Sequence, residues 1–214
     1  LLSLASTVLS LAVRPKLTVC RVGPNLEPPR PEPPPPAVPG PRDVVVKLYD
    51  ISTPELCKAM SLLASKPAYW FPKLSVSLGD RTWSYDGEVE ETYDAIIENA
   101  AGGPPLRTWN CGPTSLSDAE VDTLLEQMGS SDYTTDEYDF FMRNCNHFCY
   151  DLSERLGGDG AWSEEEAAFM DENVLHESEA ILNSMPGGDF QTSLTRSVTR
   201  RVQKIIVKSW RKEW

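Results

Sequence analysis

Histidine is scarce in this sequence, and cysteine is neither abundant nor regularly spaced. The chain has two histidines and five cysteines among 214 residues, with no Cys-x-x-Cys pair. An odd number of irregularly spaced cysteines argues against a disulfide framework, and so few histidines argue against a zinc site. We therefore expect no metal or cofactor, a reducing compartment (cytoplasm or nucleus), and room for one reactive thiol.

The chain opens with a short apolar run, LLSLASTVLSLAV. This run has about the length of the apolar part of a signal peptide and is too short to span a bilayer. Two interpretations stay open: a truncated targeting segment, or a terminus without fixed structure.

The net charge of −12 is unevenly distributed. Residues 43–188 hold eight basic and 28 acidic side chains, a net charge of −20, whereas residues 1–42 carry +3 and residues 189–214 carry +5. A surface this acidic repels phosphates, which excludes a nucleic-acid-binding core. It favours basic or neutral protein partners, unless the charge serves only solubility.

Composition divides the chain into four parts. Ten of the 18 prolines lie between Pro24 and Pro41, which predicts an extended spacer. The last segment has apolar residues at helical spacing among Arg and Lys, which predicts a basic amphipathic helix. We expect this helix to dock on the acidic body rather than on a membrane. The predicted parts are a disordered apolar and Pro-rich start (1–42), a folded domain (43–158), an acidic helical or loop extension (159–190) and the basic helix (191–214).

The pattern within residues 43–158 predicts an α+β domain. Strands are expected at 43–50, 74–78, 81–85 and 106–109, with Gly79-Asp80 turning a hairpin. Helices are expected to begin at 52–55 and at 115–120, to span 136–142, and to run from Asn144 to Gly157.

Cys145 stands where the last of these helices begins. Unpaired N–H groups and the helix dipole at such a position stabilise a thiolate and can bind an oxyanion. Cys145 is thus a candidate nucleophile, and the alternative is a small buried core residue. Cys149 lies one turn further on the same face, where it could form a disulfide with Cys145 or pack as a buried apolar residue.

The segment Asn144-Cys-Asn-His-Phe148, with Tyr138 before it, resembles the signature of the PPPDE family of DeSI-like isopeptidases. Segments 44–50, 83–87 and 112–118 resemble the family's first strand, second hairpin strand and Gly-x-Thr segment. The resemblance implies a permuted papain-like fold with a small antiparallel sheet packed on helices. It also implies a Cys–His dyad that cleaves isopeptide bonds to ubiquitin- or SUMO-like modifiers. The hairpin and the Asn-Cys-x-His-Phe pattern also resemble LRAT-like acyltransferases, but Asn146 and the Gly-x-Thr segment favour PPPDE.

The sequence departs from this family at the general base. Aligning Val76 and Gly79 with the family's hairpin places Lys73 where the catalytic His is expected, and no His precedes Cys145. A Lys with its ordinary pKa of about 10.4 is protonated at neutral pH and cannot accept the thiol proton. It could hold a thiolate by its charge, or titrate lower if desolvated.

Other residues are weaker candidates for the base. His147 is two positions after Cys145 on a helix, so the two side chains should diverge. Nothing in the sequence brings His176 near the thiol. Asp80, Asp86 and Glu88 could orient Lys73 or accept a proton, and the sequence does not choose among them.

Three functions follow from these residues. The first is a thiol isopeptidase with Cys145 as nucleophile and Lys73 at the site of the base, acting on ubiquitin- or SUMO-like conjugates. The second is a pseudoenzyme that binds such a modifier without cleaving it. The third is an LRAT-like thiol acyltransferase.

Overall fold

The protein is built around a five-stranded antiparallel sheet with strand order β4-β3-β2-β1-β5. Its structure, a computed structural model, describes residues 42–52, 54, 57, 58, 61, 70–158, 160–183 and 196. The strands are β1 (Asp43–Asp50), β2 (Pro72–Leu78), β3 (Arg81–Tyr85), β4 (Val89–Thr92) and β5 (Arg107–Pro113). The helices are α1 (Asp94–Ala101), α2 (Asp118–Ser130), α3 (Cys145–Gly157), α4 (Glu164–Met170) and α5 (His176–Asn183), with a π-helical turn at Asp171–Leu175 between the last two. The predicted α+β fold is confirmed.

The central hairpin forms as the sequence predicts. β2 and β3 are joined at Gly79-Asp80, where Gly79 has a φ of 63°, a conformation that glycine adopts without strain. The apolar side chains of these strands alternate along one face, and α3 packs against both. Trp83 and Tyr85 are buried in the core, so these aromatic rings hold the fold together.

β2 and β3 pair along only a short stretch and then diverge, and the site lies where they diverge. β2 and β3 pair from Val76 opposite Trp83 to Leu78 opposite Arg81. The earlier part of β2 continues to pair with β1, as far as Pro72 opposite Asp50. The start of α3 lies against this earlier part of β2, where β3 no longer pairs with it.

Two predicted helix starts are confirmed. Ser117 caps α2 and Glu120 completes a capping box with it. Asn144 caps α3, which begins at Cys145 and ends at Gly157. The helix expected to start at residues 52–55 agrees with the helical conformation of Pro54, Cys57, Lys58 and Ser61.

The helix predicted at residues 136–142 is wrong, because this segment forms turns. The Asp139 carboxylate accepts the N–H groups of Phe141 (2.8 Å) and Met142 (3.1 Å). The backbone of Asp139 also exchanges two hydrogen bonds with Arg143, at 3.0 and 2.9 Å. A short acidic side chain that binds nearby N–H groups competes with helix formation, and here it prevails.

The hydrophobic core extends past residue 158. Met170 and Val174 are buried in the same cluster as the sheet residues. The Arg107 guanidinium lies over the rings of both Trp109 and Phe169, 4.8 and 5.0 Å from their centroids, and the two rings contact each other at 5.9 Å. Helix α4 therefore packs onto the domain that the sequence predicts at residues 43–158.

The Pro-rich start and the predicted basic helix fall outside the described residues, apart from Arg42 and Arg196. In the part of the chain that the structure describes, the helices are too short or too polar to cross a bilayer.

Candidate active site

Cys145 is the first residue of α3 and is partly exposed. The cap residue Asn144 has an extended backbone, and its side-chain oxygen accepts the N–H of Asn146 at 2.9 Å. The Asn144 amide also donates to the Phe140 carbonyl at 2.9 Å, which ties the preceding turn to the helix. The thiol therefore lies at the positive end of the helix dipole, as the sequence predicted.

Lys73 and Cys145 are neighbours. Lys73 projects from the early part of β2, its side chain is only 7% exposed, and it hydrogen bonds with the Cys145 thiol. The structure thus brings together the two residues that the sequence selected, although they lie 72 positions apart in the chain.

Asp86 is the carboxylate that reaches this pair. It follows the last residue of β3, its side chain is 12% exposed, and its Oδ1 lies 3.6 Å from Lys73 Nζ. Asp80 is exposed at the hairpin turn, and Glu88 is exposed in the bend that precedes β4. Of the three candidate carboxylates, only Asp86, which directly follows β3, lies at the site.

Tyr138 completes the surroundings of the thiol. It is buried, and burial followed by the charges of Cys145 and Asp86 holds its pKa well above the ordinary value. Its hydroxyl is consequently neutral at physiological pH and remains a hydrogen-bond donor.

Lys73 stays protonated at neutral pH. Burial lowers the pKa of Lys73, but the negative charge of Asp86, together with that of Cys145 when ionised, outweighs the burial. The pKa of Lys73 therefore lies above its ordinary value. The desolvated, neutral Lys that the sequence left open is not what this environment favours.

The Cys145 thiol is held back from ionising. Burial raises its pKa, the Lys73 charge opposes that effect, and Asp86 raises the pKa again. The net direction is upward, so most Cys145 is protonated at neutral pH. The helix start and Lys73 limit the rise without reversing it.

Cys149 packs as a buried residue. It has no exposed surface, and its Sγ lies 3.4 Å from the Leu74 carbonyl, to which the thiol donates. Burial holds its pKa well above the ordinary value. Both Cys145 and Cys149 are free thiols.

Neither histidine serves the thiol. His147 Nδ1 accepts the backbone N–H of Asn144 at 3.3 Å, and burial lowers the pKa of His147. His176 contacts Asp171 at 3.0 Å and Glu179 at 3.4 Å. Since the chain has only these two histidines, Cys145 has no imidazole to accept its proton.

Asn146 is a site residue whose structural role the sequence analysis missed. Its Oδ1 accepts the Leu74 N–H at 2.8 Å, and its Nδ2 donates to the Pro72 carbonyl at 2.9 Å. From the sequence alone, Asn146 serves only to distinguish the PPPDE signature from the LRAT-like one. The sequence feature that could have indicated this role is a polar residue directly after the nucleophile, in a helix turn that has an apolar face.

A comparison with protein families agrees with this site. The family model described as "PPPDE putative peptidase domain" matches residues 42–173, well over half of the chain. The chain belongs to this family. Membership in the PPPDE family supports a peptidase-type hydrolase. The matched range contains Lys73, Asp86 and Cys145. No curated protein matches the chain.

The site offers no evident metal ligands. Among the residues that the structure describes, no three His, Cys, Asp or Glu side chains are grouped so as to hold a metal ion.

Proposed function

We propose that this domain is a slow cysteine isopeptidase that acts on conjugates of ubiquitin- or SUMO-like modifiers. The observation that carries the proposal is the contact of the buried Lys73 ammonium with a partly exposed thiol at the start of a helix. The PPPDE family supplies the peptidase class. The isopeptide substrate comes from the resemblance to DeSI-like enzymes.

The first half of the reaction uses Lys73 as an acid. The minor thiolate form of Cys145 attacks the isopeptide carbonyl carbon, and the backbone N–H of Cys145, at the start of α3, donates to the developing oxyanion. When the C–N bond breaks, the Lys73 ammonium donates a proton to the departing amine. A thioester on Cys145, a free amine and a neutral Lys73 result.

The second half uses the same Lys73 as a base. Neutral Lys73 accepts a proton from the water that attacks the thioester. The thioester C–S bond then breaks, and the proton that remains on the new carboxyl group passes to solvent, so the modifier leaves as its carboxylate and the thiolate is restored beside the ammonium. Lys73 thus needs no deprotonation by solvent within the cycle.

Two features make this reaction slow. The raised pKa of Cys145 leaves little thiolate at neutral pH. The raised pKa of Lys73 makes its ammonium a weak acid. A His in the same place would accept the thiol proton directly, because its ordinary pKa lies near neutrality.

The same two features favour a second candidate, a modifier-binding domain that does not cleave. Such a domain would keep the surface that recognises the modifier while the thiol stays protonated. The acyltransferase is less favoured, because the related signature has an acidic residue after the cysteine. A carboxylate at position 146 could not donate to the Pro72 carbonyl as the Asn146 amide does.

The acidic body adds a prediction about binding. Residues 43–188 carry −20, so a modifier with a basic face should be attracted to this surface. Raising the salt concentration should weaken the complex, because salt screens exposed charges.

The test is covalent labelling by ubiquitin and by SUMO bearing a C-terminal vinyl sulfone. We expect one of the two modifiers to form an adduct with the protein at alkaline pH. Cys145→Ala should abolish the adduct, and Cys149→Ala should retain it, because Cys149 is buried. Binding of a modifier without any adduct would favour the non-cleaving domain. Absence of both binding and labelling would overturn the proposal.

A further inference from the structure

We propose that Asn146 is a positioning residue: its amide holds the backbone on both sides of Lys73 and so fixes the Lys73 ammonium against the Cys145 thiol. Asn146 accepts the N–H of Leu74 and donates to the carbonyl of Pro72, the two residues that flank Lys73. The side chain is buried, so water does not compete for these bonds.

The divergence of the hairpin explains why such a contact is needed. β3 pairs with β2 only from Val76 onward, which leaves the backbone edge at 72–74 facing α3. One side-chain amide offers a donor and an acceptor in the arrangement that a neighbouring strand would provide. Asn146 thereby replaces a missing strand at the point where Lys73 projects.

The link is short on both sides. Asn146 directly follows Cys145, and its own N–H is held by the capping residue Asn144. A movement of Asn146 would therefore shift the nucleophile relative to Lys73.

Asn146 also touches the thiol itself, with an opposite effect. Cys145 Sγ lies 3.8 Å from Asn146 Oδ1, a weak hydrogen bond that favours the protonated thiol. The experiment must separate this direct effect from the positioning of Lys73. The titratable groups that face Cys145 are Lys73 from β2, Asp86 after β3, Tyr138 from the preceding turn and Cys149 along α3.

The test is a double-variant cycle read by the pH dependence of Cys145 alkylation. Iodoacetamide labelling is followed by fragment mass spectrometry, which separates Cys145 from Cys149. The proteins are the parent, Asn146→Ala, Lys73→Met and the double variant. We expect Asn146→Ala to move the midpoint of labelling to higher pH and to slow labelling at pH 8 by about tenfold.

The decisive result is the behaviour in the Lys73→Met background. There Asn146→Ala should not raise the midpoint, because the ammonium that Asn146 positions is absent. An equal rise in both backgrounds, or no rise in either, would overturn the proposal. Ser117→Ala removes the cap of α2 away from the site and should leave the midpoint unchanged while lowering stability.

Two further points keep a folding defect, and a failure of the proposed function, from being mistaken for a failed role of Asn146. Asn146→Ser is used if Asn146→Ala does not fold, with circular dichroism as the check. The inference rests on the proposed function only in taking Cys145 as the reactive thiol. Since alkylation requires no hydrolysis, a failed cycle overturns the role of Asn146, whereas absent labelling by modifiers overturns the isopeptidase.

Discussion

Lys73 Nζ lies 3.6 Å from Asp86 Oδ1, and both side chains are almost completely buried beside the Cys145 thiol. Asp86 Oδ1 accepts no hydrogen bond within the described part of the chain, so Lys73 is the neighbour that balances its charge. In the resting site at neutral pH, the pair places an ammonium where the PPPDE resemblance implies an imidazole. Its stability and its effect on the thiol can be measured separately.

Asp86→Asn should destabilise the fold, because it leaves the Lys73 charge buried without its counter-charge. We expect a loss of about 3 kcal/mol in the free energy of unfolding, measured by urea at pH 7. The raised folded pKa of Lys73 makes this contribution complete below its unfolded value of about 10.4. The contribution is lost only as pH rises through the folded value.

An exposed ion pair provides the matched control for Asp86→Asn. Asp132 lies 3.0 Å from Arg155, with both side chains more than 40% exposed, so Asp132→Asn should remove less than about 1 kcal/mol. Combining Asp86→Asn with Lys73→Met should recover most of the lost stability. Equal losses of stability for Asp86→Asn and Asp132→Asn would mean that the buried Lys73 ammonium does not depend on the Asp86 charge more than an exposed ion pair depends on its partner.

Two helical glycines should respond in opposite directions to alanine. A Cβ on Gly157 would lie 2.8 Å from the Ala161 Cβ and 3.0 Å from the Cys111 carbonyl, so Gly157→Ala should destabilise by about 1–3 kcal/mol. A Cβ on Gly129 would meet Val89 at an ordinary 3.5 Å. Gly129→Ala should therefore stabilise by up to about 1 kcal/mol. Thermal unfolding is measured for both variants. Gly157→Ala checks the packing of the end of α3 against β5, and a stabilising Gly157→Ala would refute that packing.

Labelling of Cys145 by the modifier vinyl sulfone should have an alkaline pH dependence. The raised pKa of the thiol means that the rate climbs roughly tenfold for each unit of pH above neutrality, until the thiol is ionised. A rate already constant at pH 7 would contradict the absence of a neutral-pH base.

The sequence predicts the elements that carry the nucleophile because their signals are local. The helix start around Asn144 and Cys145 and the hairpin turn at Gly79-Asp80 depend on neighbouring residues only. The helix predicted at 136–142 is wrong for a related reason, since the Asp139 side chain binds the N–H groups that a helix would use.

The rest of the site depends on contacts between distant residues. Asp86 differs from Asp80 and Glu88 only through the place where β3 ends, which no local pattern gives. The role of Asn146 depends on the divergence of β2 and β3. Its amide binds Leu74 and Pro72, which lie 72 and 74 positions earlier in the chain. Both features require the assembled sheet.

Lys73→His tests the central claim most directly: the site is intact except for its base. The measurement is the rate of hydrolysis of a ubiquitin or SUMO substrate at pH 7, for the parent, Lys73→His and Lys73→His with Cys145→Ala. We predict a gain of about 100-fold for Lys73→His, since Asp86 is placed to orient the imidazole, and its complete loss when Cys145 is also replaced. A folded Lys73→His variant with no gain would contradict the account.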